Sequence, residues 1–132
     1  MSALAEALAA AQAELPTAIE RDSQGLGYRY TSLDKLIAAT RPILTKHGLV
    51  ITQQPIAIQV GDTMRPMLRT VIMCDGEQHE FSTPLYVTDQ TMQGFGTAIT
   101  YARRYAWAAA LGIASEEDTD GAVLTGGEDV PF

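Results

Sequence analysis

The sequence predicts an α+β domain: a three-stranded antiparallel β-meander followed by a long helix packed on it, with N-terminal helices ahead of the sheet and a flexible acidic tail behind. Three observations carry that prediction. Leu49 to Val60 alternates apolar and polar residues over much of its length, and turn signals at Gly61-Asp62 and Asp75-Gly76 divide the stretch up to Val87 into three hairpin-connected strands. From Gln90 to Leu111 the spacing becomes helical for about six turns. Beyond Ala114 the chain reads SEEDTDG and then AVLTGG, an acidic stretch followed by small, flexible residues.

Taken in order, Ser2 to Leu15 is alanine-rich with Leu4, Leu8 and Leu15 at near-helical spacing, a helix ended by Pro16. Glu20 to Gly27 reads as a mobile loop, and Tyr28-Arg29-Tyr30 as a short edge strand. A second helix opens with Thr31 and Asp34 at capping-box spacing and carries Leu33, Leu36, Ile37, Ile43 and Leu44 as its apolar stripe. Pro42 predicts a kink, and Lys46-His47-Gly48 a stop, with cations in the last turn and a glycine free to take the left-handed cap. His47 in that position is a capping residue rather than a catalytic base.

The predicted strands are Leu49 to Val60, Met64 to Cys74 and Gln78 to Val87, with Pro55 marking a bulge or an edge position. In the second, Arg65, Met67, Arg69, Val71 and Met73 share one face, which sets the two arginines side by side. They either line a groove for an anionic ligand or are solvated strand charges opposite Glu77 or Glu80.

The long helix holds only two charged residues, Arg103 and Arg104. A solvated helix normally carries a charged face, so protein or ligand should cover most of this one. Asp89 is placed to cap its start. Met92, Gly96, Ile99, Ala106 and Ala110 fall on a side suited to the sheet, while Gln93, Thr97, Thr100 and Arg104 form a polar line at 4-3-4 spacing. Tyr101 and Tyr105 share a third side with Gly94, Ala98 and Ala108. Arg103, near the apolar side, is either ion-paired with Glu116, Glu117 or Asp118 or aimed into a groove.

Composition narrows the class. A chain of 132 residues, 46% hydrophobic and 19% charged, is expected to form one globular domain without a membrane span or signal peptide. The lone cysteine, Cys74, is expected in the core. Residues 1–115 carry ten acids and nine bases, whereas residues 116–132 carry six acids and no base, which together give the net charge of −7. The chain therefore divides into a nearly neutral body, with a helix at 2–15 and a core at 28–113, and an acidic tail.

Several chemistries find no support. Gly94-x-Gly96 lacks the third glycine of a dinucleotide fingerprint, and GxxxxGK[ST] for ATP is missing. Glu116 to Gly127 has the wrong residues for a calcium loop. The two histidines and one cysteine have no metal-ligand spacing, and no nucleophile–base pair stands out. Neither a cofactor nor a metal is expected, and catalytic residues are none. An acid-dependent nuclease is the enzymatic alternative.

The segment GxGTAITYARRYAxxxxLGIAxxEDxDG resembles the signature of the ERF (essential recombination function) family of phage single-strand annealing proteins. The residues that carry it are Gln93, Gly94, Gly96, Thr97, Ala98, Thr100, Tyr101, Ala102, Arg103, Arg104, Tyr105, Leu111, Gly112, Ile113, Asp118, Asp120 and Gly121. Tyr28 to Gln53, YRYTSLDKLIAATRPILTKHGLVITQ, is similar to that family's opening block, so the resemblance covers roughly Tyr28 to Gly121.

The resemblance implies a β-β-β-α annealing core assembled into rings or helical filaments, which anneals single-stranded DNA without ATP in the host bacterial cytoplasm. It implies DNA contacts from Arg103 and Arg104 to phosphates, from Gln93, Thr97 and Thr100 by hydrogen bonds, and from Tyr101 by ordering the helix or stacking. Arg65 and Arg69 would extend the groove. Read from the residues themselves, Tyr28 and Tyr30, which flank Arg29, either stack on bases or pack on the sheet. Finally, Glu128-Asp129-Val130-Pro131-Phe132 is similar to the acidic tip of bacterial single-stranded-DNA-binding proteins. A phenylalanine for an apolar pocket beside acids for a basic rim suits docking on host repair proteins. An interaction adaptor working through this tip is the alternative reading.

Overall fold

The structure, a computed structural model, describes residues 1–117. The elements are α1 (Ala3–Glu14), β1 (Ser23–Gly25), β2 (Tyr28–Tyr30), α2 (Leu33–Lys46), β3 (Val50–Val60), β4 (Thr63–Cys74), β5 (Glu77–Pro84) and α3 (Met92–Leu111). The meander forms as the alternation requires, in the order β3-β4-β5 and antiparallel throughout. Asp75 and Gly76 both take positive φ, 51° and 81°, the mirror-image turn whose twist matches the strands it joins.

Register divides the sheet into two faces. Leu68, Thr70 and Ile72 of β4 point inward and are buried, with Ile51 and Gln53 beside them on β3 and Phe81 on β5. α1 and α3 pack on this face, and α2 packs against both helices. One core cluster joins Leu4 and Ala11 of α1, Leu36 and Leu44 of α2, Ile72 of β4 and Trp107, Ala108 and Leu111 of α3. A second joins Leu68, Leu85, Ala102 and Ala106, with Phe81, Val87, Phe95 and Ile99 packed against it. The buried indole N–H of Trp107 donates to the Thr40 hydroxyl at 2.9 Å, which itself donates to the Leu36 carbonyl at 2.8 Å.

Pairing also exposes an asymmetry. β3 and β4 pair along eleven positions, but β5 joins β4 only from Met67 to Cys74. The hairpin tip projects, and residues 57–66 are all exposed.

Four local expectations are corrected. Glu20 to Gly27 is not simply a loop, because Ser23–Gly25 pairs antiparallel with Tyr28–Tyr30 to make a small hairpin. Ser32, not Thr31, is the N-cap of α2; the Thr31 hydroxyl turns inward and donates to the Ile19 carbonyl at 2.9 Å. Both the N–H and the hydroxyl of Ser32 donate to Asp22, at 2.8 and 2.7 Å, and hold that carboxyl below its ordinary pKa. At α3 the cap is Thr91, whose hydroxyl accepts from the Gly94 N–H at 3.0 Å, while Asp89 accepts from the Thr91 N–H. On the sheet side of α3, Ile99 and Ala106 pack as expected, but Met92 is 82% exposed and Gly96 is exposed. Phe95 takes the place expected for Gly96: the stripe runs Phe95, Ile99, Ala102, Ala106, one residue out of register with the expected one at its start. The second helix continues through Pro42 and ends at His47, with Gly48 at φ 75°.

Candidate functional site

The sequence-predicted residues fall into three groups, which the fold keeps apart. The first is the outer side of α3's first half, where Met92, Gln93, Gly96, Thr97 and Thr100 are all exposed. This strip has no charge, and it carries two side-chain hydroxyls, an amide and a thioether. The Thr97 hydroxyl is turned back to the Gln93 carbonyl at 3.0 Å.

The two glycines of the motif have different reasons to be there. A Cβ on Gly94 would lie 2.1 Å from the Asp89 carbonyl oxygen, so the loop before α3 needs a glycine at that point. A Cβ on Gly96 would meet no heavy atom within 4 Å. Nothing inside the described chain asks for glycine at 96. Open space over a helix backbone suits the close approach of another molecule.

Arg103 ends this strip. Its Nε donates to the Gln53 Oε1 at 3.3 Å, and the Gln53 Nε2 donates to the Arg103 carbonyl at 3.2 Å and to the Thr70 hydroxyl at 3.2 Å. Gln53 thereby fixes the arginine's stem beside edge strand β3. Of the two readings of Arg103, the ion pair with the acids after the helix does not form among the described residues. That pair belongs to the next residue.

Arg104 is 4% exposed, and its Nη1 donates to the Glu116 Oε1 at 2.6 Å. Its guanidinium lies 4.3 Å from the ring of Tyr30, 4.7 Å from Tyr105 and 4.9 Å from Tyr101, within cation–π range of all three. The polar line through Gln93, Thr97 and Thr100 does reach Arg104, but β2 and the Ser115–Glu117 segment cover the helix there. Burial works against the charge of Arg104, and the hydrogen bond and charge of Glu116 reverse that, so its pKa is raised overall. Burial also raises the pKa of Tyr105, helped by its hydrogen bond to Glu116. Tyr28 is pushed up to about 12, by burial first and then by its bond to the Tyr101 hydroxyl at 3.0 Å.

Arg65 and Arg69 form the third group, on the sheet face opposite α3. Arg69 lies 3.5 Å from Glu80, with its Nη2 donating to Gln54 at 3.4 Å, while Arg65 is exposed near the hairpin tip. One subunit therefore does not join them to Arg103 in a single groove. An apolar recess of about 530 Å³ separates the tip from the start of α3, lined by Pro66, Leu85, Tyr86, Val87, Met92 and Phe95 among others.

Sequence reasoning missed Gln53, and it offered Tyr28 for stacking on a base or packing on the sheet, whereas its hydroxyl bonds that of Tyr101. Gln53 had a signal, an amide at a core-facing phase of its strand. Among the described residues no group of three or more His, Cys, Asp or Glu is placed to hold a metal ion, and no helix is long and apolar enough to cross a membrane. The tip Glu128, Asp129, Val130, Pro131, Phe132 lies outside the described residues.

Across residues 4–128 the chain matches the family model of the ERF superfamily, a span that takes in every group above. The chain belongs to the ERF superfamily. That membership points to recombination by single-strand annealing, and the part of the ERF signature segment within the described residues maps onto α3 and the bridged residues Ala114 and Glu116 after it. No curated protein and no solved structure matches the chain significantly.

Proposed function

We propose that this ERF-superfamily chain binds single-stranded DNA without base preference and anneals complementary strands, without ATP and as an oligomer. The observation that carries the proposal is the family match over residues 4–128. The geometry supports it in three ways. The outer strip of α3 offers hydrogen-bonding groups without charge, ending in Arg103, whose stem Gln53 holds. This suits a backbone held by few contacts with its bases left free to pair. One anchored arginine per subunit gives weak affinity, so many subunits on one strand must supply avidity.

Second, Gly96, Met92 and the apolar recess beside Tyr86 form a surface suited to another copy of the chain, as do the edges of β3 and β5. Third, such packing would bring the outer sheet face, with Arg65 and Arg69, towards DNA held by a neighbour. In this proposal Arg104, Tyr101 and Tyr30 act in the resting conformation as the joint between α3 and the β1–β2 hairpin. The Glu128–Phe132 tip enters on its sequence alone, as a docking segment for host repair proteins.

The test is fluorescence anisotropy on labelled 30-mers of different sequence over a range of salt, with mass photometry of the same samples. The proposal expects similar affinity for every sequence, weakening as salt rises, and species larger than the monomer. A folded protein that binds none of the strands at low salt would refute it.

A further inference from the structure

We infer that Glu116 and Glu117 are a built-in competitor for single-stranded DNA, seated in an arginine–tyrosine site that a phosphate and its base would otherwise take. The inference rests on the DNA-binding reading above and concerns how that binding is controlled.

Two guanidinium groups, those of Arg104 and Arg21, and four tyrosines gather around Glu116, while Arg29 meets Glu117 through its backbone alone. Glu116 accepts from the Arg104 Nη1 at 2.6 Å through its carboxylate and from the Arg21 Nη2 at 3.1 Å through its carbonyl. The Tyr105 hydroxyl hydrogen-bonds the same carboxylate. Glu117 accepts from the Arg29 N–H at 2.8 Å, and its own N–H donates to the Arg29 carbonyl at 3.2 Å. Tyr30, Tyr101 and Tyr105 surround the guanidinium, and Tyr28 closes the group through Tyr101. A single structural ion pair needs far less. Guanidinium groups for an anion and ring faces for a base are the set from which single-strand sites are built.

The occupant is also placed to leave. Glu116 pairs with Tyr30 only as an isolated bridge, and its side chain keeps 23% of its exposure, so the carboxylate has a path to solvent that would uncover Arg104. Glu117 is exposed. Few backbone bonds hold the segment, chiefly Thr31 N–H to the Ser115 carbonyl at 2.8 Å and Glu117 N–H to Arg29. Tethering makes such a competitor effective, because a linked ligand acts at roughly millimolar local concentration. With Glu116 in place the Arg104 guanidinium is withheld from phosphate.

The experiment measures oligo(dT) binding by the full chain, wild type against the paired variant Glu116→Gln with Glu117→Gln, each also carrying Arg103→Met. The paired variant should bind about five- to tenfold tighter, with a salt slope steeper by about one. Hydrogen exchange on the wild type reads the same event without mutation: the Thr31 and Glu117 amides should exchange faster once oligo(dT) is bound. A folded paired variant that binds no tighter than wild type overturns the inference and leaves DNA binding standing. Slower or unchanged exchange at both amides in the DNA complex overturns it as well. If neither protein binds oligo(dT) and Arg103→Met changes nothing, the DNA-binding reading itself fails, and the competitor with it.

Discussion

Adjacent arginines on one helix should respond in opposite ways to the same substitution. Arg104→Met removes the partner of Glu116 and leaves a carboxylate that is only 23% exposed. Breaking a buried pair costs about 3–5 kcal/mol, and the residual exposure of Glu116 argues for the lower end, about 3 kcal/mol. For a domain near this size each kcal/mol moves the melting temperature by about 4 °C, so the loss should be about 12 °C. Arg103→Met loses one long hydrogen bond to Gln53, at 3.3 Å, worth about 0.5–1 kcal/mol, and should melt within about 4 °C of wild type. Urea unfolding followed by the fluorescence of the single tryptophan, buried Trp107, measures both. Binding should divide the other way, with Arg103→Met losing affinity and lowering the salt slope by about 0.7 for each subunit engaged. An Arg104→Met protein within about 1 kcal/mol of wild type would refute the reasoning, since Arg104 would then not be the joint between α3 and the hairpin.

Other perturbations separate parts of the account. Gly94→Ala should destabilise by about 1–3 kcal/mol, because its Cβ would lie 2.1 Å from the Asp89 oxygen. Gly96→Ala should instead stabilise the helix by up to about 1 kcal/mol while reducing assembly or annealing, as mass photometry and strand pairing would record. Trp107→Phe removes the buried bond to Thr40 and should cost about 1–2 kcal/mol in urea unfolding. Asp22 is held below its ordinary value of 3.8 by the Ser32 N–H and then its hydroxyl, and Glu14 below 4.5 by Lys46 and then His47. A depressed carboxyl contributes stability above its unfolded pKa and loses it as pH falls through the folded one, so unfolding should ease below about pH 4, and less so in Asp22→Asn. Tyr28, raised to about 12, works in the opposite direction: its contribution is intact below pH 10 and lost between about 10 and 12, which absorbance near 295 nm would follow.

The meander and the long helix were legible because their signals are local. Alternation, two turn dipeptides and a helical period need no knowledge of the neighbours, and Asp75-Gly76 settled its turn unaided. The β1–β2 hairpin was not legible, since a three-residue strand such as Ser23–Gly25 has too little pattern to distinguish it from a loop. The capping of α2 failed for a tertiary reason: Asp22 claims Ser32 and the core claims Thr31, and neither partner is within helical reach in sequence. At the site, periodicity placed Arg104 on a polar line and Arg103 near an apolar one. What covers each position was set elsewhere, by β2 and Glu116 over Arg104 and by Gln53 under Arg103. Helical phase assigns a residue to a side, but its environment depends on what packs there. The separation of Arg65 and Arg69 from α3 follows from the same limit, because strand alternation puts the two arginines together without showing which face the helix takes.

The central claim is annealing, and it is tested most directly by mixing two complementary dye-labelled oligonucleotides with the protein, without ATP, at low and moderate salt. Pairing should run faster than the spontaneous rate, slow with added salt and fall in Arg103→Met. Pairing no faster than the spontaneous rate at any salt, with the protein folded, would contradict it.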